Sequence, residues 1–411
     1  MRILHTADWH LDDRLGRIDR TADLRRAVER IAEYCAEDQV EVLLIAGDLF
    51  SELARPDNLR ASIEHVQQTF QPFLLGGGTI LALTGNHDNE NFCQTLRLVM
   101  TLAAPASDEP GSLHPAGRLY LATNPTFLRL RGRQGEEVQF ILMPYPTPAR
   151  YLRADETQRY ADIAEKNRHL QKAYARQLRT SIEHPTFERG KPTVLSAHIH
   201  VDSAATKLFR ISPEESIVFA DGDLPADFTY IALGHIHQHQ CLRGQTHIRY
   251  SGSIERLDAG ESDDVKGVVL LEIGDVGLIG EPRFLPLDAT PIYEVTLDTP
   301  LAEALARERA DERDASRDLV RIAIRYTAGK DNLEETLRAL DEIFPRWYAR
   351  EWNETGSLDG TLVIGGSNPE KGFEETVRDY LRQELINHND EERDAVLKRA
   401  ENLMHELDQA H

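Results

Sequence analysis

The sequence contains few cysteines and no long apolar run, and each of these shortages excludes a class of protein. The three cysteines, Cys35, Cys93 and Cys241, are widely spaced and form no CxxC pair, which argues against disulfides and a structural zinc site. We expect all three to be small buried side chains in a reducing cytoplasm. No run approaches the roughly 18 apolar residues of a membrane span. The amino terminus, MRILHTADWH, starts a strand pattern and has no signal-peptide plan. We therefore expect a cytoplasmic protein without a membrane span.

Basic residues are scarce relative to acidic ones: 47 lysines and arginines face 69 aspartates and glutamates, for a net charge of −22. This balance argues against tight binding of nucleic acid by bulk charge alone. A nucleic-acid enzyme of this composition needs local basic patches, bound metal or a partner that grips the polymer. The 41% of hydrophobic and 28% of charged residues are typical of globular proteins, and 411 residues predict two or three domains.

The first part of the chain alternates short apolar runs with amphipathic stretches, which is typical of a layered α/β domain. We expect helices over 21–37 and from about 56, and strands over 40–45 and 79–83. From about residue 118 the pattern is rich in strands, interrupted by a long polar helix over 157–182. These segments predict one large domain over residues 1–283, built of two sheets with helices outside.

A different pattern begins near residue 284. A β-α-β-α-β order predicts a small α+β domain over 284–365, with its first, charged helix over 301–317. The run GGSNP that follows is a linker signal. Within the last segment, 366–411, two amphipathic helices over 373–387 and 393–408 carry apolar stripes. These helices could be a packed terminal hairpin or an element that binds a partner.

Polar residues with metal-ligand chemistry stand where predicted strands end. In α/β sheets, sites form at the carboxyl ends of strands. A single such residue is weak support, because an aspartate after glycine is often a turn and a lone histidine is often structural. Several clusters that can converge on one crevice are hard to explain as turns. The candidates are Asp8, His10, Asp48, Asn86, His87, His198, His235 and His237.

The motifs DWH, GDLF, GNHD, AHIH and GHIH, in that order, resemble the motif set of the calcineurin-like metallophosphoesterases. Within that superfamily the chain resembles the SbcD-type DNA nucleases, which act with SbcC-type ATPases in processing DNA breaks. The resemblance implies a two-sheet sandwich flanked by helices, a capping domain, and a terminal helix pair that binds the ATPase. It also implies a homodimer whose contact uses the helices over 56–70 and 92–103, although their apolar stripes could equally be internal core.

The resemblance also implies a site for two divalent metal ions, with Asp48 as the bridging carboxylate. Two such ions, roughly 3.5–4 Å apart, can clamp a phosphodiester and supply a hydroxide. Mixed imidazole and oxygen ligands suit manganese better than magnesium, which stays the alternative. One ion would take Asp8, His10, Asp48 and His237, and the other Asp48, Asn86, His198 and His235.

Other roles follow from the same resemblance. His87 matches the histidine that protonates the leaving oxygen, and Asp88 would hydrogen-bond a neighbouring histidine and orient it. Ser51 stands where some relatives have a histidine, so that contribution must be absent or supplied otherwise. His200 is ambiguous, since it could approach substrate or merely line the crevice. His5, His65 and His239 have no counterpart in the motifs, and we expect them to be ordinary structural or solvated residues.

Several alternatives stay open at the level of sequence. The leading hypothesis is a manganese-dependent DNA exonuclease and single-strand or hairpin endonuclease subunit in double-strand-break repair. A phosphomonoesterase or protein phosphatase would need the same metal core, and a scaffold with a decayed site is disfavoured by the intact ligand set. One group of arginines could contact phosphates or form ordinary surface ion pairs: Arg14, Arg17, Arg20, Arg55, Arg129, Arg131 and Arg133.

Overall fold

The computed structural model describes residues 1–52, 54–152, 160, 162–205, 217–297, 314, 316–328, 333–357 and 399. The chain divides into two compact units. The first consists of Met1–Val295, Ala306–Ile322 and Leu340–Arg350, and the second of Thr296–Leu305, Ala323–Ala339 and Glu351–His411. The predicted boundaries after residues 283 and 365 are a different division of the chain and stay predictions.

The described helices and strands follow the predicted alternation. The helices are α1 (Thr21–Glu37), α2 (Pro56–Leu75), α3 (Glu90–Ala103), α4 (Pro148–Tyr151), α5 (Ile163–Ile182) and α6 (Leu333–Ile343). The strands are β1 (Arg2–Thr6), β2 (Arg14–Leu15), β3 (Ile18–Asp19), β4 (Val42–Ala46), β5 (Thr79–Leu83), β6 (Ser112–Leu113), β7 (Leu119–Ala122), β8 (Thr126–Arg131), β9 (Glu137–Met143), β10 (Thr193–His198), β11 (His200–Val201), β12 (Val218–Phe219), β13 (Tyr230–Gly234), β14 (Gln240–Leu242), β15 (Gln245–Tyr250), β16 (Gly267–Gly274), β17 (Gly277–Leu278), β18 (Arg283–Pro286), β19 (Ile292–Leu297), β20 (Leu319–Ala328) and β21 (Trp347–Ser357).

Two seven-stranded sheets form the centre of the first unit. The first sheet has the order β17-β16-β1-β4-β5-β7, with β18 paired to β16, and the second has the order β14-β15-β13-β10-β9-β8-β6. Strands β1, β4, β5 and β7 are parallel, and so are β9, β10, β13 and β15. The carboxyl ends of each parallel set therefore lie along one edge of its sheet.

The two faces of strand β4 show why these sheets stack. All five of its residues are buried. Leu43 and Ile45 belong to the core under helices α1 to α3, whereas Val42 and Leu44 belong to the core between the two sheets. Because successive side chains of a strand point to opposite faces, a strand covered on both sides must be apolar throughout. The uninterrupted run VLLIA is thus the local cause of a central, doubly covered strand.

The helices cover the outer faces of both sheets. In α1 the residues Leu24, Val28, Ile31 and Cys35 recur every three or four positions and are buried against the first sheet. On the second sheet, the α5 residues Leu170, Ala173, Tyr174 and Leu178 pack in the same way. The chain thus has the predicted α/β architecture of two sheets with helices outside, and that prediction is confirmed.

The stripes of α2 and α3, which the sequence left open between dimer contact and core, mostly face inward. Leu59, Ile63, Val66, Leu96 and Met100 are partly buried against the core of the first sheet, and Phe70 is fully buried in it. Val99, which the helical spacing also placed in the stripe over 92–103, is 59% exposed instead. Two other apolar side chains of α3, Leu98 and Leu102, are 63% and 83% exposed.

Arg20, one of the arginines considered as a phosphate contact, is buried in a network of ion pairs. It is 1% exposed, and its guanidinium donates to Asp23 and to Glu255, each at 2.7 Å. Arg346 also pairs with Asp23. For Arg20 the ion-pair interpretation is therefore correct. Arg129 and Arg131 likewise form ion pairs with Glu137.

A smaller sheet corresponds to the predicted α+β part of the sequence. It has three strands in the order β19-β20-β21. The predicted terminal helices over 373–387 and 393–408 lie outside the described residues except for residue 399, and most of the predicted helix over 301–317 does as well. In the part of the chain that the structure describes, no helix is both long and apolar enough to cross a membrane.

Candidate dimetal site

The predicted ligands come together inside the first unit because they all stand at carboxyl ends of parallel strands. Asp8 and Asp48 follow β1 and β4 of the first sheet, and Asn86 follows β5. From the second sheet, His198 ends β10 and His235 follows β13. The two sheets meet at this edge: the His198 Nδ1 lies 2.7 Å from the carbonyl oxygen of Ala46 at the end of β4.

The backbone at the site is strained in a way that ordinary turns avoid. Among the described residues other than glycine, seven have a positive φ, and four of these are predicted ligands: Asp8 (53°), His10 (44°), Asp48 (52°) and His235 (98°). A left-handed conformation costs a non-glycine residue of order 1–3 kcal/mol, and such residues cluster at functional sites. The strain is supported by hydrogen bonds between the two strand-end loops, in which the amides of Trp9 and His10 both donate to the Asp48 carbonyl, at 2.8 and 3.0 Å.

Two glycines before ligands are required by close approach. A Cβ on Gly47, which has a φ of 98°, would collide with the ring of His198, and a Cβ on Gly85 would collide with the carboxylate of Asp48. The GD and GN pairs of the sequence therefore have a direct physical cause, because only glycine leaves room for the neighbouring ligand.

One group of candidate ligands consists of Asp8, His10 and His237, whose ligating atoms all lie within 4.8 Å of one another. The Nε2 of His237 lies 4.0 Å from Oδ1 of Asp8, and the rings of His10 and His237 are 5.2 Å apart. Asp8 is fully buried, and its carboxylate accepts the backbone N–H of His235 at 3.1 Å.

A second group consists of Asp8, Asp48 and His198, with the same mutual spacing. Oδ2 of Asp48 lies 3.2 Å from Nε2 of His198 and 3.5 Å from Nε2 of His10, so this oxygen stands between one histidine of each predicted ligand set. Oδ1 of Asn86 lies 3.0 Å from Nε2 of His198 and 2.9 Å from Nδ1 of His235. This arrangement fits a bridging Asp48 with Asn86, His198 and His235 on one side.

Two buried imidazole nitrogens indicate that cations fit here. The Nε2 atoms of His10 and His235 are buried and have no hydrogen-bond partner among the described residues, a condition that usually costs about 1–3 kcal/mol per group. Burial lowers the pKa of both imidazoles well below the ordinary value, so each ring is neutral and keeps a free electron pair. A neutral imidazole is the form that binds a metal ion.

The charges of Asp48 and His198 depend on each other. Burial alone would raise the pKa of Asp48, but His198 and His10 hold it well below its usual range. Burial alone would lower the pKa of His198, yet Asp48 and Asp8 raise it to about 9. Without a cation the protonated His198 is thus the countercharge of the carboxylates. Cation binding at this imidazole must therefore release a proton.

His87, the predicted general acid, lies at the accessible side of the site. Its side chain is 37% exposed, its Nδ1 lies 3.5 Å from the Glu52 carboxylate, and its ring is 5.0 Å from that of His10. The backbone N–H of His87 donates to Oδ1 of Asp48 at 2.9 Å. The ring therefore lies beside the candidate ligands without belonging to either ligand group.

Asp88 has contacts that the resemblance did not anticipate. Its buried carboxylate accepts the backbone N–H groups of Gly85, Phe50 and Leu49, at 2.8, 2.9 and 3.2 Å. Burial, together with the charge of Asp48, raises the pKa of this carboxyl to about 6. Asp88 thus links the loops that carry Asp48 and Asn86 through hydrogen bonds to their backbone. Its role in orienting a histidine stays a prediction.

The structure adds Glu261 and Lys266, which the sequence analysis missed. Oε1 of Glu261 lies 2.8 Å from Nδ1 of His237, and Nζ of Lys266 lies 2.7 Å from Oε2 of Glu261. Glu261 ends a single 3-10 turn, Ala259–Glu261, and belongs to no strand-end motif. The ring of Tyr145 also approaches the site, 5.7 Å from the ring of His235.

The histidines set aside at the level of sequence lie away from the ligands. The His239 Nδ1 donates to the Tyr250 carbonyl at 3.0 Å, and its ring stacks on Phe284 at 4.1 Å, so the residue is packed and not simply solvated. His5 is buried, with Nδ1 3.0 Å from the Tyr230 hydroxyl, and His65 pairs with Glu29 at 2.9 Å.

Two further residues are placed by the structure. The ring of His200 is 6.2 Å from that of His235. The Ser51 hydroxyl donates to Asp13 at 3.2 Å, and Ser51 is buried.

The sequence of the chain is similar to those of several known proteins. Residues 1–239 match the model of the calcineurin-like phosphoesterase family. The chain is 28% identical over 283 residues to the SbcD subunit of the SbcCD nuclease from Bacillus subtilis strain 168, covering 66% of each chain. It is 29% identical over 332 residues to the protein of the same name from Rhodobacter capsulatus, covering 74% of this chain and 75% of that one.

The protein of that name from Escherichia coli K12 is 29% identical over 293 residues, covering 66% of this chain and 64% of the relative. The matches thus span about two thirds of the length of the B. subtilis and E. coli relatives. The family model spans more than half of the 411 residues, and the matched part contains all of the candidate ligands at the strand ends, from Asp8 to His237. The chain therefore belongs to the calcineurin-like phosphoesterase family.

Proposed function

We propose that the chain is a manganese-dependent DNA nuclease subunit that hydrolyses phosphodiester bonds with two metal ions. The observation that carries this proposal is the meeting of two ligand groups at the carboxylates of Asp8 and Asp48, beside the accessible ring of His87. The relatives are named as nucleases, which supports a nucleic acid as the substrate.

The candidate ligands form two sets, one for each cation. Asp8, His10 and His237 would hold one ion and Asn86, His198 and His235 the other, with Asp48 shared between them. When bound, the two cations supply neutralisation of the phosphate charge and activation of a water molecule for in-line attack. Manganese suits this mixture of imidazole and oxygen ligands better than magnesium.

His87 supplies the proton in this mechanism. Its backbone N–H donates to Asp48, so the main chain that carries the ring is held beside the ligands. An imidazole ring can donate a proton near neutral pH, and the proton would go to the oxygen that leaves the phosphorus. Glu52 faces Nδ1 of His87 at 3.5 Å.

The charge of the chain bears on how DNA is held. Non-specific affinity for DNA comes mostly from lysine and arginine contacts to phosphates. With a net charge of −22 and with Arg20, Arg129 and Arg131 engaged by carboxylates, the chain has little free positive charge in these places. We propose that an SbcC-type ATPase grips the DNA and that this chain cuts it, in double-strand-break repair and recombination.

The partner contact is proposed for the segment 366–411, which lies outside the described residues apart from residue 399. A chain that lacks residues 370–411 should keep manganese-dependent cleavage of model phosphodiesters and lose co-purification with the SbcC-type ATPase. Full binding of the truncated chain would assign the partner surface to the rest of the chain.

A homodimer through α3 is proposed on the exposed side chains Leu98, Val99 and Leu102. Val99→Asp should yield a folded monomer, because Val99 is 59% exposed. Leu96→Asp is the matched comparison: Leu96 packs against the core, so this change should destabilise the fold instead. A Val99→Asp chain that keeps the wild-type oligomeric state would reject this contact.

Hydrolysis of a phosphodiester and a phosphomonoester by the same chain tests the function. With manganese, bis(p-nitrophenyl) phosphate and linear DNA should be cleaved, p-nitrophenyl phosphate should be cleaved much more slowly, and a chelator should abolish both activities. A strong preference for the monoester would favour the phosphatase alternative over the nuclease.

A further inference from the structure

His198 and His237, both candidate ligands from the second sheet, are held by different kinds of partner. The Nδ1 of His198 donates to the Ala46 carbonyl at 2.7 Å, and a backbone oxygen is present whatever the sequence. The Nδ1 of His237 faces the side chain of Glu261 at 2.8 Å. A carboxylate can only accept a hydrogen bond, so the proton is on Nδ1 and the free electron pair is on Nε2. This is the nitrogen that faces Asp8.

The Glu261 carboxylate is held by further partners besides His237. Its Oε2 atom accepts the backbone N–H of Leu257 at 3.1 Å and pairs with Nζ of Lys266 at 2.7 Å. Lys266 is 1% exposed and also donates to the carbonyl oxygen of His237 at 2.9 Å. The lysine therefore holds both the carboxylate and the backbone of the imidazole that the carboxylate orients.

A buried ion pair elsewhere in the same unit provides a comparison. Arg20 and Glu255 are each 1% exposed and pair at 2.7 Å. Glu255 also accepts the backbone N–H of Thr290 at 2.7 Å, so it joins loops and contacts none of the candidate ligands. Both pairs are buried and have the same N–O distance of 2.7 Å, and they differ in whether the carboxylate contacts a ligand histidine.

We propose that Glu261, fixed by Lys266, is a positioning residue that sets the tautomer and the orientation of His237 for cation binding. A carboxylate on the second ring nitrogen makes a ligating imidazole a better donor, and loss of such a partner typically costs about 10–100-fold in metal affinity. This inference rests on the proposed two-metal function. It means that a residue of a single 3-10 turn determines the affinity for one of the two ions.

The test is a titration of the metal-free full chain with Mn²⁺ by calorimetry, together with electron paramagnetic resonance at substoichiometric metal. Glu261→Ala should weaken one of two binding steps about 10–100-fold and leave the other near its wild-type value. Glu261→Gln should weaken the same step less, because its amide oxygen still accepts the Nδ1 hydrogen. Glu255→Gln, the matched control, should lower Tm and leave both binding steps unchanged.

Removing Glu261 alone takes the nearer carboxylate, at 2.7 Å, from the buried Lys266 and leaves it Asp264, at 3.4 Å. The double variant Glu261→Gln with Lys266→Met keeps the inference testable if the single variants fail to fold. It should show the selective loss of one binding step. The resonance spectrum of the wild type should show coupled manganese ions, and that of the double variant the six lines of isolated ions at the same metal-to-protein ratio.

The possible results contradict different proposals. Folded Glu261 variants with two wild-type binding steps would overturn the positioning role and leave the two-metal function standing. Equal losses in the Glu261 and Glu255 variants would also overturn it, because they would show a general effect of stability. A wild-type chain that binds no manganese would reject the two-metal function, and the positioning role with it.

Discussion

The two sheets contribute to the site in different ways. The loops of the first sheet bring the oxygen ligands together with His10, and the backbone holds them, since Asp8, His10 and Asp48 have left-handed φ angles of 53°, 44° and 52°. The second sheet brings imidazoles, and hydrogen bonds at Nδ1 orient two of them: the Ala46 carbonyl holds His198, and the Glu261 carboxylate holds His237. A substitution nearby can hardly change the orientation of a ligand that its own backbone holds. A ligand oriented by a neighbouring side chain changes its orientation when that side chain is substituted.

The carboxylates that could be shared between the two proposed ions come from the first sheet. Asp8 belongs to both candidate ligand groups, and Asp48 Oδ2 lies between His10 and His198. His198, His235 and His237 each serve one proposed ion. Loss of the shared Asp48 carboxylate should therefore remove both ions, and loss of a second-sheet histidine should remove one.

The largest expected effect is that of Asp48→Ala. It removes the carboxylate common to both proposed ions, so bound manganese and DNA cleavage should both fall to background while circular dichroism shows a folded chain. His235→Ala is the comparison from the second sheet, and elemental analysis should find about one ion per chain in place of two, by the ligand assignment above. Normal turnover by Asp48→Ala protein would refute the two-metal assignment.

His87→Ala should separate proton donation from metal binding. Both ions should stay bound, because His87 belongs to neither ligand group, and cleavage should fall by about 10²–10⁴-fold. Metal content and nuclease rate, measured on the same preparation, test this. Joint loss of metal and activity would make His87 a ligand or a residue needed for the fold.

His5, on β1 of the first sheet, contacts Tyr230 on β13 of the second and should make stability depend on pH. Burial is the main cause that lowers the pKa of His5 to about 3, against about 6.5 in an unfolded chain. As the pH falls, His5 therefore takes up a proton in the unfolded state before it does so in the folded state. The stability that His5 contributes is fully present above pH 6.5 and is lost as the pH falls toward 3, by about 1.4 kcal/mol per pH unit.

Urea unfolding of the metal-free chain at several pH values between 4.5 and 7.5 tests the contribution of His5. His5→Gln should flatten the dependence of the unfolding free energy on pH below 6.5 by about that slope. Parallel curves for the two proteins would show that His5 takes up its proton in the folded state as easily as in the unfolded one.

The smallest effect is expected for His239→Ala, the third histidine of the HIHQH run. Manganese affinity and cleavage should stay at wild-type values, because this ring stacks on Phe284 and donates to Tyr250 away from the ligands. Stability should fall by roughly 0.5–3 kcal/mol, as is usual for loss of a packed side chain. A loss of bound manganese would show that the ligands were wrongly chosen.

The sequence predicted the convergence of Asp8, Asp48, Asn86, His198 and His235 because parallel strands end along one edge of a sheet. Their assignment to individual ions stays a prediction. Glu261 and Lys266 could not be found, since a residue on a single turn, 24 positions after the histidine it contacts, follows no periodic pattern. Their contact depends on how the loop folds back and not on local spacing.

The stripes on α2 and α3 show a second limit of sequence reasoning. A run of apolar residues at helical spacing predicts that a helix has one covered face, but it does not say whether the cover is the same chain or another one. In the structure Leu59, Ile63 and Leu96 lie against the first sheet, whereas Leu98 and Val99, close to Leu96 along α3, are exposed. Only the three-dimensional packing separates the two sets.

The hydrogen bond from His198 to the Ala46 carbonyl has a consequence for folding. It links the last residue of β10 to the last residue of β4, which belong to different sheets. Neither sheet alone can form the site, so a complete cation site requires that the sheets have docked. Cation binding should then oppose the parting of the sheets, as any ligand selective for the native state does. Amide hydrogens of β4 and β10 should exchange more slowly with solvent once manganese is added, even those far from the ions.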